Sequence, residues 1–256
     1  MFYLEPKKLA NSSAQDDPQL KQVDNQVPDW TARFAQLQQQ AKDPRLQAFY
    51  AAGVVSGDTP INQVPLLAVD VETTGLNPLR DGIVSIGLVP LSLARIRCAE
   101  ASHWIVNPRT SLKDESIVIH GITHSQVQAA PDLNRILDEL LTRFAGHVLV
   151  VHYRGIERAF LDAALKTRLD EGLEFPVIDT MELEARLHRR KPLGWLDRLL
   201  GRRQVSIRLA DSRSRYGLPA YQPHHALTDA LATAELLQAQ IAHHFSPETP
   251  LQDLWK

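Results

Sequence analysis

The feature that most constrains the fold is a short apolar segment with an acidic end. Residues 66–71 read Leu-Leu-Ala-Val-Asp-Val, which predicts a buried strand. Because alternate residues of a strand point to the same side, Asp70 and Glu72 project together from its end. Two such carboxylates repel unless a cation lies between them, and oxygen ligands suit Mg²⁺ or Mn²⁺. The pair alone also fits an ordinary strand that enters a polar turn.

The pattern after this strand predicts the fold class. Residues 83–91 and 95–106 lack helical periodicity and predict two more strands of a meander. Strands at 147–152 and 175–179 then alternate with helices. The predicted order, β-β-β-α-β-α-β-α-α, indicates an α/β protein with a mixed β-sheet flanked by helices. The predicted helices that follow the meander are residues 132–145, 156–168, 180–190, 195–200 and 225–243.

The chain of 256 residues divides into four predicted segments. Residues 1–27 are polar and predict a disordered or loosely docked arm. Residues 28–64 predict a helical extension that could also dock a protein partner. Residues 65–245 form the main domain, and residues 246–256 a C-terminal tail.

Composition limits the class of protein. A single cysteine, Cys98, excludes an intramolecular disulfide framework and fits a reducing compartment. The chain has no apolar stretch of membrane-spanning length, and its first residues have no apolar signal core, so we expect a cytoplasmic protein without a membrane partner. The net charge of −2 gives no overall attraction to nucleic acid. However, residues 186–215 hold ten basic residues against two acids, which fits either a path for a phosphate backbone or a solvated surface.

Two further acids stand at predicted helix starts. Glu157 follows the strand at 147–152, and Asp229 follows a loop histidine, His224. A carboxylate in the first turn of a helix is favoured by the free backbone N–H groups and the helix dipole. Each acid alone is therefore explained by ordinary helix electrostatics.

Together these segments resemble the motifs of the DnaQ-like (DEDDh) exonucleases, an RNase H-like family that includes the epsilon proofreading subunit of bacterial DNA polymerase III and oligoribonuclease. The resemblance covers residues 66–245. The matching segments are, in chain order, Asp-Val-Glu-Thr-Thr-Gly at 70–75, His-Gly-Ile-Thr at 120–123, the segment 152–161, and His-x-Ala-x-x-Asp at 224–229.

The resemblance implies a fold, a chemistry and a set of site residues. It implies four metal ligands for two divalent ions, Mg²⁺ or Mn²⁺: Asp70, Glu72, Glu157 and Asp229. His224 would be the general base, with His225 and His152 as secondary candidates. The implied substrate contacts are Thr73, Thr74, Gly75, Leu76, His120 and Thr123, with Leu76 wedged against the terminal base.

The second motif departs from the family pattern. Glu157 stands where the family has aspartate, Tyr153 where it usually has asparagine, and Ile156 where it has phenylalanine. Glutamate keeps the charge but adds a methylene. Asp162 is a rival ligand, although its spacing from His152 does not match the motif.

Three functions remain open from the sequence. The first is a 3′→5′ exonuclease that hydrolyses single-stranded nucleic acid to 5′-mononucleotides, with DNA favoured over RNA. The second is an exoribonuclease that acts on short or structured RNA ends. The third is a catalytically weakened module that binds nucleic acid or a partner, for which the altered second motif is the only reason.

Overall fold

The computed structural model describes residues 29–110, 120–189 and 204–256. The predicted arm at 1–27, the predicted helix at 195–200 and the central part of the basic block therefore lie outside the described residues. None of the described helices combines the length and the apolar character that a membrane-spanning helix needs.

A six-stranded mixed sheet forms the centre of the molecule, in the order β3-β2-β1-β5-β6 with β4 also paired to β2. Strands β1 and β2 are antiparallel, whereas β1, β5 and β6 are parallel to one another. This arrangement confirms the predicted fold class. The strands are β1 (Leu66–Thr73), β2 (Ile83–Ser92), β3 (Arg95–Ile96), β4 (Ser102–Ile105), β5 (Val148–Val151) and β6 (Val177–Asp179).

The single strand predicted at 95–106 is wrong. The segment forms two short strands, β3 and β4, separated by a 3₁₀ turn at Cys98–Glu100. The turn is exposed, and both strands pair with different parts of the long strand β2. One ten-residue strand thus supplies hydrogen-bonding partners on the same edge for two segments.

Helices cover the sheet, and the four described helices that were predicted after the meander start within two residues of their predicted positions. Two helices were not predicted, α3 and α7. The helices are α1 (Trp30–Gln40), α2 (Pro44–Ala51), α3 (His124–Ala129), α4 (Leu133–Phe144), α5 (Arg154–Leu169), α6 (Thr180–His188), α7 (Leu209–Arg215) and α8 (Ala226–His244). Helix α3 begins with a capping box formed by Thr123 and Gln126, a signal that the sequence does contain.

Both flanking segments share a hydrophobic cluster with the main domain. Trp30 and Phe34 of α1 are buried in it. So are Leu251 and Trp255 from the segment predicted as a tail. Backbone hydrogen bonds join Lys256 to Val177 of β6. The described residues of the predicted extension and tail therefore pack as parts of the domain core, and a docking role for the extension stays a prediction.

Candidate active site

Strand β1 carries the first two acids to the edge of the sheet. Its first four residues, 66–69, are buried in the core, which anchors the strand. Asp70 and Glu72 follow on the same side and are only partly exposed. Hydrophobic burial of the strand thus fixes a polar end that would be costly to place in the interior by itself.

Helix α8 supplies the third acid, and a glycine permits its close approach. A Cβ atom on Gly87, which pairs with Asp70 across the β1–β2 ladder, would lie 2.3 Å from the backbone carbon of Ala226. The start of α8 thus packs directly on the sheet beside Asp70. Ligand atoms of Glu72, His224 and Asp229 consequently lie within 4.8 Å of one another.

Helix α5 supplies the fourth acid, and it follows β5, the strand that pairs with β1. Glu157 lies in the first turn of α5, and only 3% of its surface is exposed. Its Oε2 atom is buried and has no hydrogen-bond partner. The negative charge of Glu157 is among those that raise the pKa of Asp70, so Glu157 lies in the electrostatic neighbourhood of that carboxylate.

Burial and neighbouring negative charges disfavour the ionised forms of the four acids. Burial raises the pKa of Asp70 well above its ordinary value, and Glu157, Glu72 and Asp229 add to the effect. Burial raises the pKa of Glu72 and of Glu157 to about 8 each, with Asp229 and Asp179 as the respective neighbouring charges. Burial also raises the pKa of Asp229.

This donor set fits divalent cations. The acids offer only oxygen ligands, which suit Mg²⁺ or Mn²⁺, and a cation among them would remove their mutual repulsion. The unpartnered Oε2 of Glu157 is the kind of buried atom that such a cation would satisfy.

The two adjacent histidines have different surroundings. His224 is exposed, adopts a left-handed backbone conformation (φ 68°), and donates its backbone N–H to Asp229 Oδ2 at 2.8 Å. His225 is the N-cap of α8, where its ring accepts from the N–H of Thr228. Its ring also packs 4.7 Å from that of His103. His225 thus has a clear structural role, whereas His224 directs its side chain to the acids.

The loop after β1 holds the predicted substrate contacts in a rigid turn. Thr73 donates its hydroxyl to the carbonyl of Gly75 at 2.6 Å. Thr74 is buried, and its Oγ1 accepts from the N–H of Gly82, so its side chain supports the loop. Leu76 is 70% exposed, as a residue that meets a substrate must be.

The segment at 120–123 contributes differently at its two ends. His120 is buried, its Nδ1 accepts from the N–H of Ile122, and its Nε2 has no partner. Burial lowers the pKa of His120, and the charge of His224 adds to the effect. Thr123 is exposed and caps α3.

The remaining candidates are held by contacts away from the carboxylate cluster. Burial lowers the pKa of His152 to about 4, and its ring nitrogens meet the Thr180 hydroxyl and the Ile207 carbonyl. Asp162, the rival ligand, binds Lys166 and the N–H of Leu173. Asp162 therefore already has partners along its own helix and in the turn that follows it.

The comparisons with known proteins agree with this geometry. The family model described as exonuclease (RNase_T) matches residues 67–237, about two thirds of the chain. The chain belongs to this exonuclease family. Members of the family depend on divalent metals, which fits the acidic cluster.

Relatives extend the match at moderate identity. The DNA polymerase III epsilon subunit of Treponema pallidum is 31% identical over 181 residues, which cover 71% of this chain and 78% of that protein. The PolC-type DNA polymerase III of Thermotoga maritima is 26% identical over 71% of this chain. The chain matches only 12% of the length of that PolC-type relative.

Solved structures support the fold. The nuclease domain of 3′hExo, a DEDDh family member bound to rAMP, is similar over 70% of this chain and 92% of that one, with a TM-score of 0.58 and 18% identity. Exonuclease X in complex with 5′ overhanging duplex DNA is similar over 73% and 98%, with a TM-score of 0.54 and 22% identity.

Proposed function

We propose that this protein is a metal-dependent 3′→5′ exonuclease that hydrolyses single-stranded nucleic acid to 5′-mononucleotides. The observation that carries the proposal is the approach of four carboxylates from distant parts of the chain. They are Asp70, Glu72, Glu157 and Asp229. Structural ion pairs do not explain them, since Glu72, Glu157 and Asp229 each raise the pKa of Asp70, and Asp229 also raises that of Glu72.

Two divalent ions would be held by the four acids Asp70, Glu72, Glu157 and Asp229. Asp70 interacts with the other three and is therefore the natural shared ligand. Bound there, the ions would supply an activated water and stabilise the charge that develops in phosphoryl displacement. The protein contributes four acids from three elements, β1, α5 and α8, and a bound cation would lower their raised pKa values so that they ionise.

His224 is the proposed general base. It is exposed to solvent, and a ligand atom of its ring lies within 4.8 Å of those of Glu72 and Asp229. Imidazole is the side-chain group best suited to accept a proton near neutral pH. Its backbone N–H binds Asp229, which ties the base to a proposed metal ligand.

Leu76 is the proposed contact for the terminal base. It is the exposed residue at the start of the loop, and Gly75 beside it packs against the carboxylate of Asp81, where any Cβ would clash at 2.3 Å. The loop thus passes close to Asp81 immediately before Leu76. An exposed hydrophobic side chain at this position can stack on a base of any sequence.

DNA is favoured over RNA because the names of the relatives in the sequence comparison refer to DNA polymerase III. The alternative substrate, RNA, is favoured by a solved neighbour described as recognising histone mRNA. Side-by-side digestion of ssDNA, dsDNA, long RNA and short RNA with varied divalent ions distinguishes them.

The substitution Asp70→Ala tests the proposed chemistry. We expect wild-type protein with Mg²⁺ or Mn²⁺ to release 5′-mononucleotides from the 3′ end of ssDNA, and EDTA to stop the release. Because Asp70 is the shared ligand, Asp70→Ala should lower kcat by at least about 10³-fold. A substrate labelled at its 5′ end reports direction and products together.

The control for this experiment is Asp162→Ala, which removes a nearby acid that already has other partners. It should retain wild-type turnover. Equal digestion by wild-type and Asp70→Ala protein, with matching melting curves, would show that the assigned chemistry is wrong.

A further inference from the structure

Asp179 occupies a position that no sequence motif indicated. It ends strand β6, and only 3% of its surface is exposed. Its carboxylate accepts backbone N–H groups from two helix starts. Tyr153 (3.1 Å) and Arg154 (3.0 Å) donate from the start of α5, and Met181 (3.0 Å) and Glu182 (3.2 Å) from the start of α6. One buried carboxylate thus caps two helices.

The turn that Asp179 holds is strained. Tyr153 has φ 95°, in the left-handed region that a residue with a Cβ rarely adopts. Such a conformation costs about 1–3 kcal/mol and persists only where surrounding contacts enforce it. The ring of Tyr153 lies over Gly155, where a Cβ would come within 3.0 Å of it. The hydrogen bond from Tyr153 N–H to Asp179 is a contact that enforces the turn.

The direction of Glu157 follows from this turn. Glu157 lies in the first turn of α5, three residues after Arg154, whose N–H binds Asp179. Its Oε2 atom has no hydrogen-bond partner that would fix its direction, so the course of the helix start contributes to where that atom lies. The negative charge of Asp179 also raises the pKa of Glu157, in keeping with its place at the cap of the same helix.

We propose that Asp179 is a positioning residue for Glu157. By capping α5 and enforcing the turn at Tyr153, it sets the helix start so that a glutamate reaches the metal site in place of the usual aspartate. This inference rests on the proposed function, since it assigns Glu157 as a metal ligand. It concerns the geometry of a ligand, and Asp179 itself does not touch the reacting atoms.

The test measures Mn²⁺ binding to the full chain by electron paramagnetic resonance, which needs no turnover. Loss of a group that orients a metal ligand typically weakens metal affinity about 10–100-fold, and we expect Asp179→Asn to fall in this range. Asp179→Glu keeps the charge but moves the carboxylate by one methylene. It should weaken binding as well, whereas a pure charge effect predicts wild-type affinity.

A matched control separates positioning from helix stability. Asp43 caps α2 by accepting from the N–H of Arg45, and its own N–H donates to Glu171, which follows the far end of α5. Asp43→Asn should lower the melting temperature and leave Mn²⁺ affinity unchanged. Equal weakening by Asp43→Asn and Asp179→Asn would overturn the proposal.

A double-mutant cycle with Glu157→Gln shows whether Asp179 affects Mn²⁺ binding through Glu157. If Asp179 acts through Glu157, Asp179→Asn should change Mn²⁺ affinity less than about 2-fold once Glu157 has been replaced. The same weakening in both backgrounds, or wild-type affinity in Asp179→Asn, overturns the inference while the nuclease assignment stands. Absence of Mn²⁺ binding in the wild type, or wild-type binding in Asp70→Ala, would instead reject the proposed function itself.

Discussion

Two helices each bring one acid to the site, and their starts are built differently. At the start of α5 the acid itself is buried: Asp179 caps the helix and Glu157 is 3% exposed, whereas Tyr153 at the N-cap is 51% exposed. The start of α8 is open: His225 caps it, and both His224 and His225 are exposed. Metal ligation requires fixed, dehydrated oxygens, whereas proton transfer requires access to water. The site therefore has a rigid side, at the start of α5, and an open side, at the start of α8.

The largest expected effect lies on the open side. His224→Ala should lower kcat by about 10²–10⁴-fold, because proton transfer from the attacking water would lose its base. Mn²⁺ affinity should change far less than turnover, since four carboxylates remain. Single-turnover digestion of a 5′-labelled ssDNA oligonucleotide measures the chemical step.

The adjacent His225 is the matched control for His224. His225→Ala removes the cap of α8, which should lower the free energy of unfolding by about 0.5–2 kcal/mol and leave kcat within several-fold of wild type. A larger kcat loss in His225→Ala than in His224→Ala would exchange their assigned roles.

The next largest effect is expected where the start of α8 packs against the sheet at Gly87. In Gly87→Ala the added Cβ would meet the backbone of Ala226, which cannot rotate away as a side chain could. We expect α8 to shift outward, with a loss of about 1–3 kcal/mol in the free energy of unfolding. A displacement near 1 Å at Asp229 would reduce kcat by about 10²-fold.

Thermal melts and digestion rates measured on the same preparation test this prediction. Gly57→Ala is the control, because its Cβ would meet mainly the flexible side chain of Gln252 at 3.1 Å. Wild-type digestion by Gly87→Ala would mean that the site tolerates movement of α8, and the rigid side alone would then define the geometry.

The rigid side is probed by Glu157→Asp. The negative charge of Glu157 raises the pKa of Asp70, and the start of the helix that carries Glu157 is capped by Asp179. Shortening the side chain of Glu157 retracts a ligand and leaves space for about one methylene, so we expect kcat to fall about 10-fold and stability by about 1 kcal/mol. Faster digestion by Glu157→Asp than by wild type would show that the glutamate costs activity.

Much of this architecture could be predicted from the sequence, and the exceptions have a common cause. The strand at 66–71 and its carboxylates are local patterns, and they were predicted. The convergence of Glu157 and Asp229 with them followed only from the resemblance to a family. Gly87 and Asp179 were missed because their roles depend on helix starts that reach them only in the folded chain. The break within 95–106 was missed because periodicity does not locate a turn between two short strands.

The smallest expected effect is a dependence of stability on pH in the metal-free protein. The folded-state pKa of Glu72 and of Glu157 is about 8, above the ordinary 4.5. Protonation therefore favours the folded state, and this stability is complete below the ordinary value and lost as pH rises through 8. In EDTA the melting temperature should fall between pH 5 and pH 8.5.

Saturating Mg²⁺ should reduce this pH dependence of stability by holding the carboxylates ionised. The acids on the two sides of the site should contribute unequally to the pH dependence. The pKa of Asp229 is raised by burial, but the backbone N–H and the charge of His224 oppose the rise. Glu157 on the rigid side lacks a partner for Oε2. Glu157→Gln should accordingly flatten the pH profile in EDTA more than Asp229→Asn does. Calorimetry across the same pH series measures both profiles. Equal flattening by the two substitutions would mean that the starts of α5 and α8 impose the same electrostatic cost on their acids. The two helix starts would then differ only in their access to water.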